Sequence, residues 1–113
     1  EDGSRRAKGS QPGDGIMPHQ TISKFQLGMV DEQTVIMPAS SDILSVGSQD
    51  DTVYLWAKVA SGAGKSGRKI YIFGTGHPLP DIPSMKFIGT VALFRDTLIF
   101  HVFDGGYINK ETI

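Results

Sequence analysis

Short runs of β-branched and aromatic residues, separated by turn residues, follow one another along the chain from Thr21 onward. Most runs alternate apolar and polar positions with a period of two, which is the pattern of a strand with one buried face. Gly and Pro interrupt nearly every window long enough for an amphipathic helix. The pattern predicts seven strands: Thr21–Leu27, Gln33–Met37, Ile43–Ser48, Thr52–Val59, Lys69–Phe73, Phe87–Phe94 and Leu98–Phe103.

The expected fold class is all-β, a small sandwich or partly open barrel of about seven short, mainly antiparallel strands. The segment Thr52–Val59 alternates most clearly, because its odd-numbered positions are all aliphatic while Lys58 lies on the other face. One face of this strand is therefore expected to be buried. Between the last two segments, Arg95-Asp96-Thr97 is short enough for a tight hairpin turn.

Two of these segments, Lys69–Phe73 and Leu98–Phe103, are apolar on both faces. A strand of this kind has to bury both faces, either under a covering layer or against another subunit. A domain near this size buries only about two-thirds of the surface of its unfolded chain, so burial between subunits adds stability. We therefore expect a homo-oligomer, with an interface that includes Tyr71, Phe73, Ile99 and Phe103.

The length and the composition along the chain predict one domain behind a short leading segment. A chain of 113 residues fits a single domain. The first 16 residues, EDGSRRAKGSQPGDGI, consist mostly of Gly, Ser, Pro and charged residues and offer almost nothing to a core. We expect residues 1–16 to form a flexible extension of the kind that an artificial leader adds to a chain. Residues 17–113 are expected to form one β domain.

The charge and the composition exclude several classes of protein. The net charge of −1, with dispersed basic residues, is unlike that of a general nucleic-acid binder, which clusters positive charge. The absence of cysteine excludes disulfides, thiolate catalysis and cysteine-ligated zinc. No apolar run reaches the roughly 18 residues of a membrane span, and no signal-peptide core lies near the start. We expect a cytoplasmic protein that does not contact the membrane.

The segment Val59–Ser66, with the sequence VASGAGKS, ends like a phosphate-binding loop. That motif requires a glycine where Val59 stands and a helix afterwards, whereas a strand is predicted to follow here. A flexible hairpin loop between two strands therefore explains these glycines better than nucleotide hydrolysis does.

The longest loop, Gly74–Ser84, has the sequence GTGHPLPDIPS and holds three prolines, which predicts a stiff backbone. Its first residues combine open backbone amides, a hydroxyl and an imidazole that can donate or accept a hydrogen bond. We expect any ligand or partner site to include this loop, with positive charge from Lys69 if the loop folds back. The predicted site residues are Gly74, Thr75, Gly76, His77 and Lys69. The alternative is a structural turn in which His77 only bonds to nearby backbone.

The histidines and carboxylates show no spacing that specifies a catalytic or metal site. His101 lies in mid-strand, and the two other histidines of the chain form no HxH or HxxxH pattern with it. A partly buried histidine with satisfied hydrogen bonds is therefore the better interpretation. We expect no catalytic residue, no metal and no cofactor.

Several short strings also recur in a known group of proteins: ISKFQL at 22–27, DEQT at 31–34, MP at 37–38, ILSV at 43–46, LW at 55–56, IFGTGHP at 72–78, FIGT at 87–90 and IFHVF at 99–103. With them, residues 21–104 resemble a family of short, largely uncharacterised proteins found mainly in bacteriophages and prophages. The GTGHP string is the most specific part of the resemblance. The chain departs from the family at Ser23 and Phe73, where members tend to have tyrosine.

The resemblance implies a viral origin and the host cytoplasm as the location, without implying a particular chemistry. Small accessory phage proteins commonly bind and disable a host factor, either a protein or a nucleotide signal of antiviral defence. We therefore expect a binding module for a host protein or a small nucleotide ligand, rather than an enzyme. Two alternatives stay open: a structural virion or assembly protein, and a small hydrolase that uses His77 or His101.

Overall fold

The computed structural model describes residues 19–108, and every predicted strand is present in that range. The strands are β1 (Gln20–Leu27), β2 (Glu32–Pro38), β3 (Asp42–Gln49), β4 (Thr52–Ala60), β5 (Lys65–Gly74), β6 (Lys86–Leu93) and β7 (Leu98–Tyr107). None of the described segments is a helix long and apolar enough to cross a membrane. The predicted extension, residues 1–16, lies outside the described residues.

The strands form two antiparallel sheets, which confirms the predicted all-β class. One sheet has three strands in the order β1-β4-β3, and the other has four in the order β2-β5-β7-β6. Strands β3 and β6 lie against each other across the two sheets, where the hydroxyl of Ser48 donates to the carbonyl of Ala92 at 3.3 Å. Within residues 19–108 the two sheets do not close into a barrel, so the architecture of this part is an open sandwich.

The core lies between the sheets and draws side chains from both. In β4, the alternation seen in the sequence buries Val53, Leu55 and Ala57 completely. The opposite sheet contributes Ile70 and Val102 from its two central strands. In β2 and β4, where burial follows the period of two, the local sequence pattern determines which face of the strand enters the core.

The connection between β4 and β5 differs from the predicted hairpin. Strand β4 pairs with β1 on one side and with β3 on the other, so neither of its edges is open to β5. The chain therefore crosses to the other sheet after Ala60, through residues 61–64, and Lys65 already lies in β5. The prediction of a flexible hairpin loop at 59–66 was wrong for this reason.

The connection between β6 and β7 is the tight hairpin turn that the sequence predicts. Leu93 pairs with Leu98, and three turn residues in a row have positive φ: Phe94 at 52°, Arg95 at 55° and Asp96 at 65°. The carboxylate of Asp51 accepts a hydrogen bond from the backbone N–H of Phe94 at 2.7 Å. Phe94, predicted as the end of the strand, therefore belongs to the turn.

An ion pair between Arg68 and Asp104 closes one end of the interior. The guanidinium donates two hydrogen bonds to the carboxylate, at 2.9 and 2.8 Å, and a third to the carbonyl of Ser41 at 2.9 Å. The side chains of Arg68 and Asp104 are only 11% and 14% exposed. The ring of Tyr107 packs on the guanidinium, with its centroid 4.3 Å from Cζ. This pair links β5 to β7 and to the turn before β3.

The stability of the fold is expected to depend on pH through Asp104. Burial raises the pKa of Asp104, but the hydrogen bonds from Arg68 and from the N–H of Gly106, with the charge of Arg68, lower it overall. A carboxyl group whose pKa is lower in the folded chain stabilises the fold above its unfolded pKa. That stabilisation is lost as the pH falls through the folded pKa. We therefore expect the melting temperature to decrease with pH below about 4.

The Asp104→Asn variant tests this assignment by circular dichroism melts over the acid range. The variant cannot lose a charge at this position, so its melting temperature should decrease less steeply with pH than that of the wild type. Equal slopes in the two proteins would assign the acid sensitivity to other carboxylates.

Candidate functional site

Four aromatic rings run across the outer face of the four-stranded sheet. The rings of Tyr71 and Phe73 on β5 are nearly parallel, at 10°, with centroids 6.1 Å apart. Phe103 on β7 packs against Phe73 at 6.0 Å, and Phe87 on β6 meets Phe103 edge-on at 5.4 Å. We call Tyr71, Phe73, Phe103 and Phe87 the aromatic row. Their common orientation confirms that the outer faces of β5 and β7 are apolar, as the sequence predicts.

The loop at residues 75–85 folds back over one end of the aromatic row. It starts in a turn in which the N–H of His77 donates to the carbonyl of Gly74 at 3.1 Å. Gly76 has a φ of 90°, which a side chain rarely adopts. The N–H of Thr75 donates to the carbonyl of Ile99 at 3.2 Å and so ties the turn to β7. The first part of the loop is therefore anchored to the sheet that it covers.

A groove of about 550 Å³ separates this loop from the sheet. Its floor is formed by Tyr71 and Phe73, and one wall by the loop. The residues of this aromatic groove are Asp31, Glu32, Tyr71, Phe73, His77, Pro78, Leu79, Pro80 and Ile82. A space of this size, with apolar walls and few polar groups, matches sites for small ligands or single side chains, which span about 300–1,000 Å³.

The groove carries negative charge at its rim. Asp31 and Glu32 line it, whereas none of its described lining residues is a lysine or an arginine. Lys69 lies just outside, where its ammonium is 2.6 Å from the carboxylate of Glu32. The hydrogen bond to Glu32 raises the pKa of Lys69. Lys69 is thus engaged with Glu32 and does not line the groove, although it was predicted to supply the loop with positive charge.

The structure brings the predicted residues Gly74, Thr75, Gly76 and His77 together, but of these only His77 lines the aromatic groove. All four line a second, smaller cavity of about 180 Å³, in which Phe73 and His101 take part. The ring of His77 packs on Gly74, where an added Cβ would lie 3.1 Å from its Cε1. His77 borders both spaces and its side chain is exposed, so it can meet a ligand in either.

His101 is held in place by two threonines. Its Nε2 is 2.8 Å from the hydroxyl of Thr75, and its Nδ1 is 2.9 Å from the hydroxyl of Thr90. Both ring nitrogens are therefore satisfied, and the ring is half-buried. This confirms the interpretation of His101 as a histidine with satisfied hydrogen bonds. Within residues 19–108, no three His, Asp or Glu side chains converge as metal ligands.

The predicted interface residues lie together on the outer face of the four-stranded sheet, but the loop changes their exposure. Phe73 is only 7% exposed within a single chain, while Tyr71, Ile99 and Phe103 are half-buried. The most exposed ring of the row is Phe87, at 55%, on the edge strand β6. Self-association stays a prediction, and the apolar area that it would cover is centred on Phe87 and Phe103.

Residues from the start of β2 and from the far part of the loop were not among the predicted site residues. Glu32 reaches the groove because it pairs with Tyr71 in the β2–β5 register, and the carbonyl of Asp31 accepts a hydrogen bond from the N–H of Ile72 at 3.0 Å. Leu79 and Ile82 reach it because the loop folds back. In the sequence, only the three prolines of the loop indicated that the loop has a fixed shape.

A bulge in β7 makes room for the groove floor. Gly105 lies where the β5–β7 register shifts, and a Cβ added there would be 2.5 Å from Cε2 of Tyr71 and 3.0 Å from Cγ of Lys69. We expect Gly105→Ala to displace the Tyr71 ring and to lower the free energy of unfolding by about 1–3 kcal/mol in urea titrations. Gly64→Ala, in open space, is the control. Equal stability of the two variants would contradict the close packing of Tyr71 on Gly105.

The chain was compared with known protein families, curated sequences and solved structures, and a family model matches it. No curated protein sequence matches the chain, and no solved structure matches it. The model of a domain of unknown function, DUF7352, matches residues 18–111, which include the seven strands described between residues 19 and 108 and the loop over the aromatic groove. The chain therefore belongs to the DUF7352 family.

Proposed function

We propose that this protein is a binding module that captures a partner in the aromatic groove. The observation that carries the proposal is the covered, apolar space between Tyr71 and Phe73 on one side and the loop on the other. Pro78 and Pro80 restrict the loop to few conformations, so binding there costs little conformational entropy. The resemblance to phage proteins adds the expectation that the partner is a host factor whose action the protein blocks.

The groove can be tested by capturing a partner from host lysate with two variants, one at Leu79 in the groove and one at Ile22 outside it. Leu79 lines the groove and is 58% exposed, so Leu79→Asp should leave the fold intact while placing a charge in an apolar wall. Ile22, on the outer face of the other sheet, is similarly exposed and lies far from the groove, so Ile22→Asp is the matched control. We expect Leu79→Asp to lose the partner and Ile22→Asp to retain it.

Retention of the partner by a folded Leu79→Asp variant would contradict the proposal. A melting curve of each variant accompanies the capture experiment, so that loss of binding is compared at equal folded fraction. His77→Ala adds a second measurement: we expect weaker capture and an unchanged melting temperature, because the exposed His77 side chain contributes little to the core.

Self-association is proposed as a separate property of the uncovered end of the aromatic row. The exposed ring of Phe87 and the neighbouring Phe103 form an apolar patch beside the edge of the sheet. Covering such a patch with a second copy stabilises the pair by about 25 cal/mol per Å² of buried apolar surface. We expect light scattering to show a dimer or larger oligomer at high micromolar concentration, and Phe87→Ser to shift it towards the monomer. A monomeric wild type would contradict this proposal.

A further inference from the structure

The floor and the rim of the aromatic groove together match the chemistry of a cationic side chain. In the groove floor, the half-buried ring of Tyr71 offers an aromatic surface beside the ring of Phe73, which is only 7% exposed. Such surfaces bind the aliphatic stem of a lysine or arginine and attract its charge through the ring quadrupole. Leu79 and Ile82 in the opposite wall supply further contacts for an aliphatic stem.

The charge at the rim distinguishes cationic from anionic ligands. The carboxylate of Glu32 is partly compensated by Lys69, whereas Asp31 forms no ion pair with any residue between 19 and 108. Asp31 and Glu32 are held at the rim by backbone pairing with β5, through the N–H of Ile72 and the register partner Tyr71. A phosphate or carboxylate entering the groove would meet the negative charge of Asp31, which no cation among residues 19–108 pairs with.

On the basis of the proposed function, we propose that the groove takes the side chain of an arginine or lysine from an extended segment of a partner protein. The aliphatic stem lies on the ring of Tyr71, beside Phe73, and the charged head reaches the carboxylate of Asp31. The guanidinium of arginine fits best, because it stacks flat on aromatic rings and donates two hydrogen bonds to a carboxylate. A protein segment is therefore favoured over a nucleotide as the partner.

The test uses two peptides that differ only in charge. N-acetyl-Gly-Arg-Gly-amide is compared with its citrulline analogue, which has the same shape without the positive charge, and with adenosine monophosphate as an anionic probe. Binding is followed by amide chemical shifts of the ¹⁵N-labelled full chain. We expect the arginine peptide to shift the amides of Asp31, Tyr71 and Phe73 and to bind about tenfold more tightly than the citrulline peptide.

Two carboxylate variants locate the charge that is responsible. Asp31→Asn should reduce the affinity for the arginine peptide about tenfold and leave that for the citrulline peptide unchanged. Asp96→Asn, in the β6–β7 turn, is the control because Asp96 does not line the groove, and asparagine tolerates the positive φ of this position. Asp96→Asn should bind both peptides as the wild type does.

Three results would overturn the inference: equal binding of the two peptides, equal effects of the two variants, or tighter binding of adenosine monophosphate than of the arginine peptide. Absence of shifts in the groove at millimolar peptide would overturn it as well. The proposed function is judged separately, because Leu79→Asp can lose the host partner while the two peptides bind equally. In that case the groove would bind its partner without selecting a cation.

Discussion

Replacing Arg68 with methionine is expected to lower the free energy of unfolding by about 3 kcal/mol. Methionine keeps much of the apolar stem but leaves the carboxylate of Asp104 without its counter-charge at a position where it is only 14% exposed. The carbonyl of Ser41 also loses a hydrogen-bond donor. Urea unfolding at neutral pH measures the change as a lower midpoint at an unchanged slope.

Two further variants distinguish the effect of leaving a buried charge unpaired from the effect of removing a charge at the surface. Lys69→Met removes the cation of the more exposed pair with Glu32, and we expect a much smaller loss of stability than at Arg68. The double variant Arg68→Met with Asp104→Leu removes both charges and should recover part of the loss, because no unpaired charge then stays buried. Equal losses of stability in Arg68→Met and Lys69→Met would show that the buried Arg68–Asp104 pair stabilises the fold no more than the exposed Lys69–Glu32 pair does.

Replacing Leu55 with alanine is expected to cost about 3 kcal/mol. Leu55 lies in the middle of β4 and is completely buried between the two sheets, where it belongs to the same core cluster as Ile72 and Val102. Truncation removes apolar contacts and leaves a cavity that the paired strands on both sides of β4 cannot close. Thermal and urea unfolding should both report the loss.

Leu44→Ala is the matched control for the core prediction. Leu44 lies in β3 and is 48% exposed, at the point where the register with β4 shifts. The same change of residue there should alter the free energy of unfolding by about 0.5 kcal/mol or less. A loss at Leu44 as large as that at Leu55 would contradict the division of buried and exposed faces.

The strands and their buried faces could be predicted because both depend on the local period of two. The alternation around Leu55 is sufficient to identify β4 and its inner face. Strand partners are a different problem, since Gln20 pairs with Ala60 and Glu32 with Tyr71 across long stretches of chain. The hairpin predicted at 59–66 failed because both edges of β4 were already occupied by strands that the local sequence does not reveal.

The candidate site was predictable only where its residues follow one another in the chain. Gly74 and His77 share a short turn, so their proximity follows from sequence. The acidic rim depends on the register that places Glu32 beside Tyr71, and the covered floor depends on the path of the loop. Lys69 was assigned to the loop by its position in the sequence, but the same register pairs it with Thr34, and its ammonium contacts the carboxylate of Glu32 instead.

The order of the strands also determines how the chain reaches its fold during synthesis. Strands β3 and β4 form a local hairpin, as do β6 and β7. Strand β1 lacks its partner until Ala60 has left the ribosome, and β2 lacks its partner until Tyr71 has done so. Because distant segments must be brought together before pairing rewards them, we expect the β3–β4 hairpin to form before β1 docks on it, and β2 to dock only after β5 has been synthesised. The growing chain therefore carries two unpaired, aggregation-prone strands for part of its synthesis.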